Sequence, residues 1–411
     1  MNAARFIARR IVPQAGMKSP FSGPVVTIAK IAVALSIGMM ICTIATGRGL
    51  QQKIREKITA FNGHINIQAY TDNASDVSVA PVSTQQPFYP YPAPYLKDVQ
   101  RVDAVALKAG MIRTEAAFEG IVFKGVSARY PFNVLQEYLL SGRMPRFGTE
   151  PSNEVLISQY LANRLHLKLN QTVFTYFMKP ERQSYFVRPF KVVGIYHSGI
   201  QEFDATHVLG DLQHVQRMNH WNADQVGGFE VHVTDFDRLP EITEQVYAKT
   251  TSILDTHSIT ETYYFIFEWL KLFDFNILII LIIMVLVATI NMVVALLVLI
   301  LERTKMIGLL KALGMNTASL RSLFLYLALH IISRGLLWGN GIALLLLWIQ
   351  KQWGIIHLNP ENYYVTVAPI AFDWVLFLLV NVGTVAICSL VLLLPALTLA
   401  RIAPAKVLSF E

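Results

Sequence analysis

The stretch Glu302-Arg-Thr-Lys-Met-Ile-Gly-Leu-Leu-Lys-Ala-Leu-Gly314 follows a run, 276–301, without a single charged residue. A helix of that length covers about 39 Å, more than the roughly 30 Å of a bilayer's hydrocarbon core. In the stretch itself, Met306, Leu309, Leu310 and Leu313 fall at i, i+3, i+4 and i+7. That spacing predicts a short helix with one apolar stripe and with Glu302, Lys305 and Lys311 turned elsewhere. Gly314 supplies the left-handed residue that stops it, and Gly308 lets another surface approach the backbone closely. Periodicity alone fits a helix resting on the membrane surface. A partner subunit seated against it is the sharper alternative.

Three more runs are long enough to cross: 25–46, 327–349 and 374–397. The first reads as an uncleaved anchor, because its apolar stretch and the basic arm before it are both longer than a signal peptide needs. Basic residues set the orientation. The arm 1–24 holds Arg5, Arg9, Arg10 and Lys18 with no acid, and the segment 302–326 holds Arg303, Lys305, Lys311 and Arg321 against Glu302. The tail 398–411 adds Arg401 and Lys406, whereas the loop 350–373 sets Lys351 against Glu361 and Asp373. Both termini are therefore expected to be cytoplasmic, with 47–272 outside. The pI near 9.2 reflects this juxtamembrane charge, so nucleic acid is not an expected partner. Cys42 and Cys388 both lie in apolar runs and form no disulfide framework.

The external region is large enough for its own core. Leu50, Ile54, Ile58 and Phe61 recur at helical spacing and extend the first span as a stalk. Gly63-His-Ile-Asn-Ile-Gln alternates like a strand, as do 154–158 and 229–234. The residues 173–177 and 186–195 read as two strands of a hairpin around Lys179-Pro-Glu-Arg-Gln, and 208–221 as strand then helix, the latter carrying His214 and His220 on a surface. The proline-rich segment 87–95 is a polyproline-like loop. The domain is thus α+β, and Tyr263, Tyr264, Phe265, Phe267, Trp269 and Phe273 fit a membrane interface before the second span.

Enzyme chemistry is missing from the motifs. There is no Walker A sequence, no HExxH spacing and no GxSxG elbow, so no catalytic residue, metal site or cofactor of this chain is expected. Within the spans, Arg334 with His330 one turn earlier reads as a snorkelling cation or a transport residue. Asn291, Asn340 and Asn381 read as interhelical hydrogen-bond donors or as substrate contacts.

The segment Glu302–Gly314 resembles the cytoplasmic signature of the FtsX-like permease family of ABC transporters, through Glu302, Arg303, Ile307, Leu309, Ala312, Leu313 and Gly314. Met306 stands where that signature has an acid. The tail Leu394-Pro-Ala-Leu-Thr-Leu-Ala-Arg-Ile-Ala-Pro-Ala-Lys-Val-Leu408 is similar to the family ending. Gly49-Leu-Gln-Gln-Lys, Phe61-Asn-Gly-His-Ile-Asn-Ile, Val193-Gly-Ile-Tyr-His-Ser-Gly with Glu202 and Asp204, and Asn291 resemble the lipoprotein-releasing LolC/LolE branch.

That resemblance implies a type VII ABC permease with four transmembrane helices and an extracytoplasmic α+β domain between the first two. It implies a dimer of cytoplasmic ABC ATPases that bring ATP and Mg and contact Glu302, Arg303, Lys305, Met306, Gly308, Lys311, Leu313 and Gly314. It also implies a second permease or a homodimer, a periplasmic lipoprotein chaperone and a triacylated lipoprotein substrate. Met178, Lys179, Pro180, Glu181 and Arg182 occupy the place of a chaperone-recruiting hook. On the first span, Val33, Ile37, Met40, Ile41 and Ile44, with Asn291 on the second, either line a groove for acyl chains or face membrane lipid. The rival expectations are a MacB-like efflux permease, which carries a fused ATPase where this chain has a short basic arm, and an FtsX-like regulator of cell-wall hydrolases.

Overall fold

The computed structural model describes residues 22–70, 80–90, 98–115, 117–179 and 184–397. Among them, four helices have the length and apolarity to cross a membrane: Pro24–Asn62, Tyr264–Glu302, Thr317–Trp353 and Trp374–Pro395. The chain divides into two compact units. One comprises Lys53–Glu268 with Asn359–Val365, and the other holds the remaining described residues of the first helix and of the chain from Trp269 on, including the bulk of the four long helices.

The membrane unit is packed around small residues. Hydrophobic attraction is absent between helices in lipid, so close backbone approach and polar pairs carry the association. Gly335 and Gly339 of the third span supply that approach to the first. A Cβ on Gly339 would stand 2.1 Å from Ile37 Cγ2 and 2.5 Å from the Ala34 carbonyl, and one on Gly335 would stand 2.8 Å from Val33. The third and fourth spans are tied by Asn340 Nδ2 donating to Asn381 Oδ1 at 2.8 Å. Asn291 instead donates to the Val287 carbonyl of its own helix. At one end Arg48 pairs with Asp373 at 3.5 Å, and Asp373 caps the fourth span by accepting from the Val375 and Leu376 amides.

The external unit is built on β1 Ile65–Ala69, β2 Val82–Ser83, β3 Val99–Arg113, β4 Phe118–Val126, β5 Leu139–Gly142, β6 Glu154–Ser158, β7 Thr172–Met178, β8 Tyr185–Tyr196, β9 His207–Asp211, β10 Gln225–Val226, β11 Gly228–Val233 and β12 Leu254–Ser258. Ten of these strands form one sheet, ordered β12-β1-β11-β3-β4-β9-β6-β8-β5, with β7 pairing both β3 and β8. The double pairing of β7 closes β3, β4, β9, β6, β8 and β7 into a ring of six strands. Phe123, Phe177 and Phe190 pack together, 5.0 to 6.3 Å between ring centroids. Gly210 makes room for them, since a Cβ there would lie 2.2 Å from Phe123 Cζ. The long β3 belongs to two parts of the sheet: its first half pairs with β11 and its second half with β4 and β7.

His214 is not on a surface. Its helix, Leu212–Met218, buries it edge-on against Phe190, with Nε2 3.0 Å from the Ser152 carbonyl. The proline-rich segment is likewise docked where it is described, with Phe88 and Tyr89 on the Phe229 ring of β11.

The first long helix ends inside this unit. Ile54, Ile58 and Phe61 are fully buried, and the Phe61 ring packs on Tyr138, Tyr196 and Phe203. Gly63, at φ +69°, is the left-handed stop. Lys124 Nζ, from β4, donates to the Phe61 carbonyl and pairs with Glu230 of β11 at 2.5 Å. A cation at a helix C-terminus satisfies orphan carbonyls and the dipole together. Both side chains are nearly fully buried, and among the described residues Glu230 Oε2 has no hydrogen-bond partner. Lys124→Ala should therefore destabilise the external unit by about 3–5 kcal/mol by stranding Glu230, whereas the paired change Lys124→Met with Glu230→Leu should cost far less. Denaturant unfolding of the purified chain and both variants measures this.

His64 follows the stop. Burial, then His232 and Arg101, push its pKa from 6.5 down to about 3, and its Nδ1 accepts the Val233 amide at 3.4 Å. Burial also pushes His207 down to about 3. The unfolded chain takes up these protons below about pH 6.5 and the folded chain only near pH 3. Their stabilising contribution is thus complete above pH 6.5 and lost as pH falls towards 3, by up to about 1.4 kcal/mol per pH unit for each histidine. Thermal unfolding between pH 7 and 4.5 should show this slope, and His64→Gln should make it shallower.

Candidate functional site

The signature segment forms the helix Thr304–Ala312. Thr304 turns the chain out of the second span, its hydroxyl donating to the Ile300 carbonyl at 3.1 Å. At the far end the amides of Leu313, Gly314 and Met315 return to the carbonyls of Leu309, Lys311 and Leu310, with Gly314 at φ +90°. Asn316 then caps the third span's helix through the Ser319 amide at 2.7 Å.

The apolar stripe is split. Ile307 and Gly308 are buried, and Met306 and Leu310 pack partly buried on the membrane core. Leu309 and Leu313 are turned out, 53% and 76% exposed. A four-residue stripe is wider than the contact the bundle offers, and the apolar Ile307 beside it draws the buried face round by one residue. What remains outside is an apolar ridge of Leu309 and Leu313, with Lys305, Ala312 and Gly314 also exposed. Glu302 is exposed, and Arg303 and Lys311 are half-buried. The Nε atoms of Arg303 and Arg321 are buried without a hydrogen-bond partner among the described residues.

The hook candidates fall on the β7–β8 hairpin. Met178 ends β7 with half its surface exposed, and the Lys179 amide donates to the Ser184 carbonyl at 3.0 Å. Lys179 Nζ sits 5.0 Å above the Phe186 ring. Pro180, Glu181 and Arg182 lie outside the described residues. Along the hairpin's outer face Phe174, Met178, Tyr185 and Val187 are exposed.

The groove candidates occupy a different place from an open groove in the single chain. Val33, Ile37, Met40, Ile41 and Ile44 are all buried in the bundle core, because the glycines of the third span draw that helix onto Val33 and Ile37. The face of the first span left open carries Ile28, Ile31, Leu35 and Met39.

The Val193–Asp204 stretch, which resembles a family motif, is an architectural device. Asp204, buried in the helix Gln201–Thr206, accepts from the Ser198 amide and hydroxyl and the Gly199 amide, and pairs with His197 Nδ1 at 3.0 Å. This holds Gly199 at φ +75°. Against it lies the segment Asn359–Val365, whose Tyr364 carbonyl accepts from Lys57 Nζ at 2.7 Å. A cavity of about 410 Å³ opens beside it, lined in part by Tyr160, His197, Glu202 and Tyr364.

Residues 27–249 match the MacB-like periplasmic core domain and residues 278–404 the FtsX-like permease C-terminal region. The chain belongs to the FtsX-like, MacB-type permease family. It is a multi-pass membrane permease of the ABC class, and membership implies an ABC ATPase and a permease partner. Among curated relatives, the lipoprotein-releasing system transmembrane protein LolC of Xylella fastidiosa (strain Temecula1 / ATCC 700964) is 22% identical over 93% of this chain and 92% of its own. LolC of Buchnera aphidicola subsp. Schizaphis graminum is 19% identical over 95% of both chains. LolE of Haemophilus influenzae is 20% identical over 100% of both. The solved periplasmic region of MacB from Actinobacillus actinomycetemcomitans aligns at 13% identity and a TM-score of 0.32, over 50% of this chain and 92% of that one. The extracellular domain of YknZ from Gram-positive bacteria aligns at 14% and 0.32, over 47% and 99%.

In this FtsX-like permease the glycine seam is the most exacting contact of the membrane unit. Gly339→Leu should force the first and third spans apart and lower stability by about 1–3 kcal/mol or more, whereas Gly341→Leu should be close to neutral, since nothing lies within 4 Å of a Cβ there. Thermal unfolding in detergent distinguishes the two.

Proposed function

We propose that this chain is the permease subunit of an ATP-driven transporter that extracts lipoproteins from the outer leaflet of the bacterial inner membrane and passes them to a periplasmic chaperone. The observation that carries the reading is the end-to-end likeness to proteins named for lipoprotein release, over 93% or more of this chain. Extraction needs an energy source. Each methylene withdrawn from lipid costs about 0.8 kcal/mol, so a triacyl anchor resists by tens of kcal/mol in order of magnitude.

In this reading both termini and the Thr304–Ala312 helix are cytoplasmic, and an ATPase dimer carrying ATP and Mg grips the Leu309–Leu313 ridge with Glu302, Arg303, Lys305 and Lys311 around it. Met306 acts from below, as part of the helix's seat on the bundle. A second permease, or a second copy, completes the acyl-chain path against the open face of the first span, and Asn291 borders the second. The hairpin bearing Met178 and Lys179 receives the chaperone, its exposed aromatic residues providing an apolar landing for a partner that carries lipid.

Leu309→Asp with Leu313→Asp should abolish co-purification of the ATPase while leaving the thermal unfolding of the chain unchanged. In cells expressing only that variant, outer-membrane lipoproteins should accumulate in the inner membrane. Normal lipoprotein localisation on depletion of the chain would reject the lipoprotein-release reading. Co-purification with a coiled-coil activator of wall hydrolases would favour the FtsX-like regulator instead.

A further inference from the structure

Two basic residues and a histidine that the proposed transport cycle leaves unused form a cluster inside the membrane unit. Gly335 packs against the first span so closely that a Cβ would lie 3.1 Å from the Lys30 carbonyl. Lys30 and Arg334 therefore emerge at one depth. Each of Lys30 and His330 is within Coulombic reach of Arg334, and His330 is within reach of Lys30 as well. Among the described residues none of the three has an ion-pair partner. Glu302 is the only acid anywhere between Asp274 and Glu361, and residues 1–30 contain none.

The depth of the cluster matters. Gly47 of the first span packs against Ile277 of the second, which puts the two residues level. Lys30 lies seventeen residues before Gly47, about 26 Å along a helix. The apolar run of the second span continues to Leu301, twenty-four residues past Ile277, or about 36 Å. The two cations Lys30 and Arg334, with the His330 imidazole beside them, thus sit roughly 10 Å short of the end of the neighbouring apolar helix, in the leaflet on the side of Thr304–Ala312. Charge at that depth is held by a counter-charge, by snorkelling to the interface, or by a polar head drawn to it. The face is also shaped for a chain: Trp338 and Ile342 follow Arg334 at intervals of four along the third span. Trp338 is 69% exposed and Ile342 51%.

We propose that Lys30, His330 and Arg334 hold the phosphate of an anionic phospholipid of that leaflet, its acyl chains lying along Trp338 and Ile342. A zwitterionic lipid brings its own cation to the same place and is disfavoured. The site is separate from the ridge assigned to the ATPase and from the open face of the first span.

The test is native mass spectrometry of the full-length chain released from bilayers holding equal amounts of phosphatidylglycerol and phosphatidylcholine. The wild type should retain phosphatidylglycerol selectively. Each charge removed should cost about fivefold in that preference, as expected for a basic residue near a lipid surface, so Lys30→Gln with Arg334→Gln should lose about 25-fold. Arg334→Lys, which keeps the charge, should retain the preference and shows that the chain folds. Lys351→Gln, at the opposite end of the same helix, should leave it intact. Equal retention of the two lipids by the wild type, an unchanged preference in the double variant, or an equal loss from Lys351→Gln would each overturn the proposal. Displacement of phosphatidylglycerol by millimolar inorganic phosphate would make this a free-anion site and overturn it too. So would efficient disulfide cross-linking of Trp338→Cys between two copies in the bilayer, since a second chain would then cover the face.

Discussion

The external unit depends on one buried ammonium group. Lys124 lies beneath the last turn of the first helix, where unpaired carbonyls and the negative end of the dipole converge, and it joins that end to β4 and β11 at once. A buried pair of this kind adds little net stability over an apolar replacement, but it is costly to break. Its contribution is geometric: it ties the helix end to two strands at once, with Phe61 in its aromatic pocket. Gly63 then turns the chain directly into β1.

The membrane unit solves a different problem. Its helices gain nothing from hiding apolar surface, since lipid is as apolar as they are. Gly335 and Gly339 bring two backbones together, Asn340 and Asn381 add a hydrogen bond, and Asp373 caps one helix while pairing with another. The same seam governs the lipid-facing surface: by occupying Val33 and Ile37 it leaves Ile28, Ile31, Leu35 and Met39 to meet whatever lies outside.

The Thr304–Ala312 helix shows how a permease can present a rigid handle. Its inner side is anchored through Ile307 and Gly308, its two ends are fixed by Thr304 and Gly314, and its outer leucines stay uncovered. Exposed leucines on a helix with both ends secured cost solvation in the isolated chain. A partner surface that covers them recovers that cost without any rearrangement of the helix.

Much of this was legible in the sequence. Long apolar runs marked four spans, a 3.6-residue repeat marked the short helix, and Gly314 marked its stop. Alternation marked β6, β7, β8 and β11. It did not mark β3 and β4, because Arg101, Asp103, Lys108 and Lys124 interrupt the apolar rhythm. Those charges are satisfied by residues far along the chain: His232 for Arg101 and Asp103, Asn219 for Lys108, and Glu230 for Lys124.

Local pattern thus determined which segments are helix, strand or span, since hydropathy and backbone preference act within a few residues. Only the tertiary structure decided the rest: the ring closed by β7, the seat of Phe61, the split of the stripe at Ile307, and the side of the first span that faces outward. Each of those outcomes is set by a partner up to three hundred residues away. A one-dimensional pattern shows that a face is apolar, but not which neighbour has the glycine that lets it be buried.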